Sequence, residues 1–225
     1  MQIFYHGSSV LFPKFDLSHV LEGDGKVKFG YGVYLTSSFK SAAHYSETKS
    51  RPATTHYVYT VEIPDFTDDN HIDFKKPVHP DIVKRAEEQL IQLKIASRNL
   101  ENVSEAGARS RSENYRPSIP EKFTLDGKVF RKYLAKNFEK LLDIDLAEGE
   151  DIKKAFQIAG EEEASKFLNK IGVEFITWPY NWKNPDLGLN VAVLDDNKIK
   201  ITKIHQVELD NKKQLIQGSE KEISL

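Results

Sequence analysis

Three short stretches of the 225-residue chain gather side chains able to stack, hydrogen-bond or titrate. They are Tyr5-His6-Gly7-Ser8, then Gly30-Tyr31-Gly32-Val33-Tyr34 with Ala42-Ala43-His44-Tyr45 behind it, and Leu189-Asn190-Val191-Ala192-Val193-Leu194-Asp195. Tyr34 and Tyr45, eleven residues apart, offer flat, rigid aromatic rings. Asn190 offers an amide that donates and accepts hydrogen bonds but, unlike a carboxylate, carries no charge and takes no proton. Each stretch also has an ordinary structural reading. A His before Gly-Ser suits a turn, paired tyrosines suit a core, and an apolar run ending in Asp suits a strand leaving the core.

Several other chemistries are excluded by spacing. The third glycine of a dinucleotide fingerprint would fall on Leu35 after Gly30-Tyr31-Gly32, and neither Gly25-Lys26 nor Gly127-Lys128 has the earlier glycine of a P-loop. The chain has no HExxH and no G-x-S-x-G, and its seven histidines have no ligand spacing with acidic partners, so no metal is expected. With no cysteine, disulfide frameworks and cysteine-held metals are impossible. A net charge of -2, from 32 basic and 34 acidic residues, gives no global pull toward nucleic acid. No apolar run is long enough to span a bilayer and the first residues lack a leader pattern, so a cytoplasmic protein, or one delivered into a target cytosol, with no membrane partner is expected.

The elements that must position these residues read as strand and loop first, helix in the middle, and strand again at the end. Strands are predicted over 2–5, 54–63, 173–177, 190–194 and 199–204, the second with Tyr57, Tyr59, Val61 and Ile63 on one side of its pleat. Asp195-Asp196-Asn197 reads as a hairpin turn between the last two. Helices are predicted over 81–100, 129–142 and 151–170, the last stopped by Gly172. Residues 101–120 read as a long surface loop carrying Arg109, Arg111, Tyr115 and Arg116. Strands at both ends with helices between them predict an α+β fold.

Together, in this order and spacing, the three stretches resemble the ADP-ribosyltransferase superfamily, in its diphtheria-toxin and poly(ADP-ribose) polymerase branch. His6-Gly7-Ser8 is similar to the H-G-S or H-G-T that ends the first strand there. Gly30, Gly32 and Tyr34, with Tyr45 behind them, are similar to the second block. The late strand aligns through Asp195, which sets Asn190 where the polymerases have a catalytic glutamate. The resemblance covers roughly residues 2–63 and 155–204 and is strongest to small bacterial and phage members. It implies a split pair of antiparallel β-sheets in a single domain, 1–225, with 78–150 a helical insertion or target-recognition segment.

The resemblance also implies that NAD is consumed as substrate and one ADP-ribose passes to a macromolecular acceptor, protein or nucleic acid. The catalytic set it implies is His6, Tyr34 and Asn190; the cofactor-binding set is Gly7, Ser8, Gly32, Tyr34, Tyr45 and Lys28. In that scheme the Gly7 backbone holds the nicotinamide amide, His6 bonds ribose hydroxyls, Tyr34 and Tyr45 sandwich the nicotinamide, and Ser8 contacts sugar. Residues 9–29 cover the dinucleotide, with Lys26 and Lys28 near the pyrophosphate. The polymerase serine that bonds the amide is replaced by Ala42. Asn190 in place of glutamate argues against chain elongation and for an acceptor with its own nucleophile, with Asp186 or Glu174 as substitute acids. Trp178, Tyr180 and Trp182 are either rim packing or part of an acceptor groove. A toxin, effector or phage-defence role with an antitoxin or host partner follows from the resemblance alone. An NAD glycohydrolase and a catalytically silent NAD- or ADP-ribose-binding module are the alternatives.

Overall fold

The computed structural model describes residues 1–21, 27–47, 54–93, 118–142 and 151–224. The expected arginine loop around Tyr115, and Lys26, lie outside the described residues. The described chain is α+β, with eight strands and four α-helices, and it divides into two compact units. Residues 1–67 with 174–225 form one unit, and residues 68–173 form the other. The second therefore begins before and ends after the 78–150 segment expected from sequence. Among the described residues no helix is long and apolar enough to cross a membrane.

The first unit is built on β1 (Gln2–Ser8), β2 (Val33–Thr36), β3 (His56–Ile63), β5 (Phe175–Pro179), β6 (Leu189–Val193), β7 (Lys200–Val207) and β8 (Lys221–Ile223). Their order is β5-β6-β2-β1-β3-β7-β8 and these pairings are antiparallel. Alternation along the strands sends Phe4, Val33, Leu35, Tyr59, Val61, Ile63, Phe175, Val191 and Val193 to one face, where they form a buried apolar core. The other face carries α1 (Phe39–Tyr45), whose Ala42 and Ala43 pack on Val58 and Val207. Helix α1 starts where the Ser38 hydroxyl accepts from the Ser41 N–H at 3.3 Å.

The middle of this sheet is narrow. β1 makes seven register pairs with β3, from Gln2 with Ile63 to Ser8 with Tyr57, but it meets β2 through one, Tyr5 with Thr36. β2 in turn makes four pairs with β6. The strands therefore part beyond Tyr5, leaving β5-β6-β2 on one side and β1-β3-β7-β8 on the other. The two sheets implied by the resemblance are here one hydrogen-bonded order with a one-pair joint.

Two local expectations are overturned. β1 does not stop at Tyr5 in a turn: His6, Gly7 and Ser8 stay paired with β3. The strands on either side of Asp195-Asp196-Asn197 are not a hairpin, because β6 already has β2 and β5 on its two edges, and β7 pairs with β3 and β8 instead. The Asp195 carboxylate caps a 3-10 turn, Asp196–Lys198, by accepting from the Asn197 N–H at 3.1 Å, and this turn carries the chain across to the other half.

The second unit holds β4 (His71–Asp73), α2 (Pro80–Gln92), α3 (Gly127–Glu139) and α4 (Ile152–Lys170). Asp126 caps α3 through the Val129 N–H at 2.7 Å, and Asp151 caps α4 through the Lys154 N–H at 3.2 Å. Gly172, at φ +88°, takes the left-handed turn after α4 that sequence predicts. Phe130, Leu134 and Phe138 of α3 are buried, as are Phe167 and Leu168 of α4. Between these two helices Arg131 pairs with Glu161, both buried, and the guanidinium lies 5.7 Å from the Phe74 ring centre.

Candidate functional site at the parted strands

The parting of β1 and β2 sets His6-Gly7-Ser8 on one margin and the Gly30–Tyr34 stretch on the other. His6 spans the gap: its Nδ1 lies 2.9 Å from the Tyr34 carbonyl oxygen. A carbonyl only accepts, so Nδ1 carries the proton in this bond and Nε2 is left as an acceptor. Alternation along β1 turns the imidazole away from the α1 face, into edge contact with Phe15 at 5.1 Å, Phe12 at 6.2 Å and Tyr59 at 6.4 Å. Burial there lowers the His6 pKa below 6.5, and the bond to Tyr34 only partly opposes it, so the ring is neutral at pH 7.

The loop after β1 is fastened over this histidine by Tyr59. The phenol accepts from the Phe12 N–H at 2.7 Å and donates to the Val10 carbonyl at 3.2 Å, while the ring stacks on Phe12 at 4.3 Å. Desolvation pushes the Tyr59 pKa up to about 12, so the hydroxyl keeps its proton. Residues 10–15 thus pack on the protein itself. Sequence reading put Tyr59 on the correct side of its strand but gave no sign that it clamps this loop, because its partners are backbone groups.

Gly7 has a packing reason of its own: a Cβ there would collide with the Ala42 carbonyl of α1. Gly32 is likewise held close, with space for a Cβ ending 2.6 Å from the Val193 carbonyl oxygen. The Ser8 hydroxyl accepts from the Val10 N–H at 3.0 Å, closing a local turn. On α1, Ala42 is buried and so is Ser41, whose Oγ has no hydrogen-bond partner.

Across the joint, register aligns Tyr5, Thr36, Asn190 and Trp178 in one row on the α1 side of the sheet. Tyr34 occupies the next row, opposite Ala192. Its hydroxyl donates to the Gly30 carbonyl at 2.9 Å and accepts from the Phe29 N–H at 3.0 Å, which ties the glycine loop to the strand. Its ring meets Trp178 edge-on at 5.3 Å, and Phe29 stacks flat on Trp178 at 4.0 Å with Trp182 beyond at 6.4 Å. Phe29 and Thr36 are members of this wall that sequence reading missed; Phe29 had a faint signal in its place just before Gly30.

Most other expected members stand apart. Tyr45 ends α1 with 65% of its surface exposed and its ring edge against His44, outside the Tyr34 cluster. Lys28 does not stand apart: it is exposed at the edge of the aromatic wall, its ammonium 5.5 Å from the ring centre of Phe29. Glu174 is held by Lys198 at 2.7 Å, and Asp186 is exposed in the 3-10 turn Pro185–Leu187. Among the described residues no cluster of His, Asp and Glu suits a metal ion.

The α1 side of the joint carries an aromatic wall and one uncharged amide, with no carboxylate in the Asn190 row, while the neutral His6 ring reaches the Tyr34 carbonyl from the opposite face of the sheet. The Asn190 amide can donate and accept hydrogen bonds, but it cannot deprotonate water. No family model matches the chain, and no match was found among curated proteins or solved structures.

Proposed function

We propose that the protein is an NAD-dependent mono-ADP-ribosyltransferase acting on a macromolecular acceptor. The observation that carries this reading is the parting of β1 from β2 after one register pair, with His6-Gly7-Ser8 and Gly30–Tyr34 on the two margins. In this reading NAD lies along the gap, its nicotinamide against the backbone of Gly7 and the ring of Tyr34. The lone pair of His6 Nε2 accepts from a ribose hydroxyl. The Asn190 amide accepts from the hydroxyl beside the reacting carbon.

The reaction breaks the bond between the nicotinamide nitrogen and the anomeric carbon, and nicotinamide leaves with the electron pair. A lone pair of the acceptor forms the new bond to that carbon; an anionic acceptor has no proton to lose, and an exocyclic amine passes its proton to solvent. Because Asn190 supplies no base, the acceptor must bring its own nucleophile, such as a carboxylate, a phosphate or an exocyclic base nitrogen. Tyr45 takes part only if α1 or the ring turns toward Tyr34. Ala42 leaves one amide contact unfilled.

The test incubates the protein with NAD labelled on the adenylate phosphate, with and without lysate pretreated with protease or nuclease, and follows label transfer and nicotinamide release. Label on a macromolecule, with sensitivity to one pretreatment, is the expected result. Release at equal rates with and without lysate would make the protein a glycohydrolase. NAD binding with neither signal would make it a silent binding module. His6→Ala and Tyr34→Ala should each remove turnover while circular dichroism stays native, and wild-type rates in both would overturn the site.

A further inference from the structure

Helix α3 carries a feature that the proposed reaction does not use. Lys128, Lys132, Lys136 and Lys140 recur every fourth residue, the last as the residue that ends the helix, and all four are exposed. At about 1.5 Å rise per residue the row runs roughly 18 Å, and at 3.6 residues per turn it winds only about a third of a turn. Among the described residues none of the four makes an ion pair, whereas Lys76, Lys166, Lys198, Lys200, Lys203 and Lys213 each have a carboxylate within 4.0 Å. Glu139 is the single acidic side chain of α3, and it lines an open depression of about 360 Å³ with Lys136, Lys140 and Phe156.

We infer that this row is a docking surface for the phosphodiester backbone of a nucleic-acid strand. Identical monovalent cations at a constant step of about 6 Å suit a polymer of identical, evenly spaced monoanions. Lysine meets phosphate as a point charge and needs no fixed fork geometry, so the row reads backbone and not sequence. A membrane surface fits less well, because an interfacial helix needs its apolar face for the lipid. The apolar face of α3, with Phe130, Leu134 and Phe138, is buried in its own unit. Beside the row, Tyr133 stacks on Phe123 at 4.4 Å and the Lys122 ammonium lies 5.0 Å from the Phe123 ring, which adds a cation next to aromatic surface.

The inference goes beyond the transferase reading and does not depend on it. The experiment measures binding of the full chain to labelled single-stranded RNA, single-stranded DNA and duplex DNA by fluorescence anisotropy across a salt series, without NAD. Four lysine–phosphate contacts predict a slope of log affinity against log salt of about -2.8 on single strands or about -3.6 on duplex. The three probes also tell which source of the backbone is preferred. The variant K128Q/K132Q/K136Q/K140Q should lose about tenfold or more in affinity at low salt and most of that slope, while K203Q/K212Q should not. Thermal unfolding verifies that the fourfold variant is folded, and single Lys132→Gln should lower the slope by about 0.7 on single strands. No binding at low salt, an unchanged slope in the fourfold variant, or binding to anionic vesicles but not to nucleic acid would each overturn the inference.

Discussion

In the proposed reaction, Asn190 sets the chemistry at the level of single residues. Its row neighbours Thr36 and Trp178 leave an amide where general-base catalysis needs a carboxylate. Asn190→Glu should therefore raise acceptor-free nicotinamide release from NAD, read by chromatography, by about a hundredfold, the low end of a general base's contribution. Asn190→Ala should cost less than His6→Ala, and equal losses would make the amide indispensable. Gly7 is a different kind of site, because α1 packs directly on it. Gly7→Ala should destabilise the fold by about 1–3 kcal/mol through overpacking, read as a lower denaturant midpoint at constant slope. The resemblance singled out His6, Gly32, Tyr34 and Asn190, and register sets Tyr34 and Asn190 on neighbouring rows of the sheet. The face to which His6 turns, the Tyr59 clamp and the Phe29–Trp178 stack were not legible in the sequence, since each involves a partner at least 28 residues away, as the His6–Tyr34 bond illustrates.

At the level of elements, the long periodic segments and the five-residue strands β5 and β6 were readable, but α1 and β2 were not. β3, α3 and α4 carry enough alternation or helical period to declare themselves, and their observed ends fall within a few residues of the expected ones. α1 has seven residues and buries only Ser41, Ala42 and Ala43, so no apolar stripe marks it, and four-residue β2 hides between glycine and serine. The false hairpin at Asp195 has a plain cause: local turn chemistry was right, but strand partners are chosen across the sheet, and both edges of β6 were taken. The α3–α4 contact offers a separate test. Arg131 and Glu161 have 1% and 9% side-chain exposure, so Glu161→Gln or Arg131→Met alone should cost about 3–5 kcal/mol by leaving a buried charge unpaired. The double variant R131M/E161L should recover most of that loss in chemical denaturation, and additive losses would show that the pair is not coupled.

At the level of the whole molecule, stability should depend on pH in a definite sense. His6 and His71 both have pKa values lowered from 6.5 by burial, so below that pH the unfolded chain binds more protons than the folded one. Their contribution is fully present above pH 6.5 and is lost as pH falls toward the lower folded values. Asp16, lowered from 3.8 by its bonds to Ser18, acts only further down. The unfolding midpoint should therefore drop between pH 7 and pH 5, and the pair of changes His6→Asn and His71→Asn should flatten that drop; parallel profiles would reject the assignment. The one-pair joint between β1 and β2 also bears on how the chain comes to be folded. Each half of the parted sheet mixes early and late strands: β2 needs β6 and β5, and β3 needs β7. Neither half can be completed from the first 67 residues, however long they wait. The early strands β2-β1-β3 are neighbours and can pair with one another first, but their outer edges wait for β6 and β7, whose partners lie well over 100 residues away, and contacts of such high sequence separation slow folding. The two margins of the gap, β1 and β2, are therefore made long before the β6 and β5 strands that complete its wall.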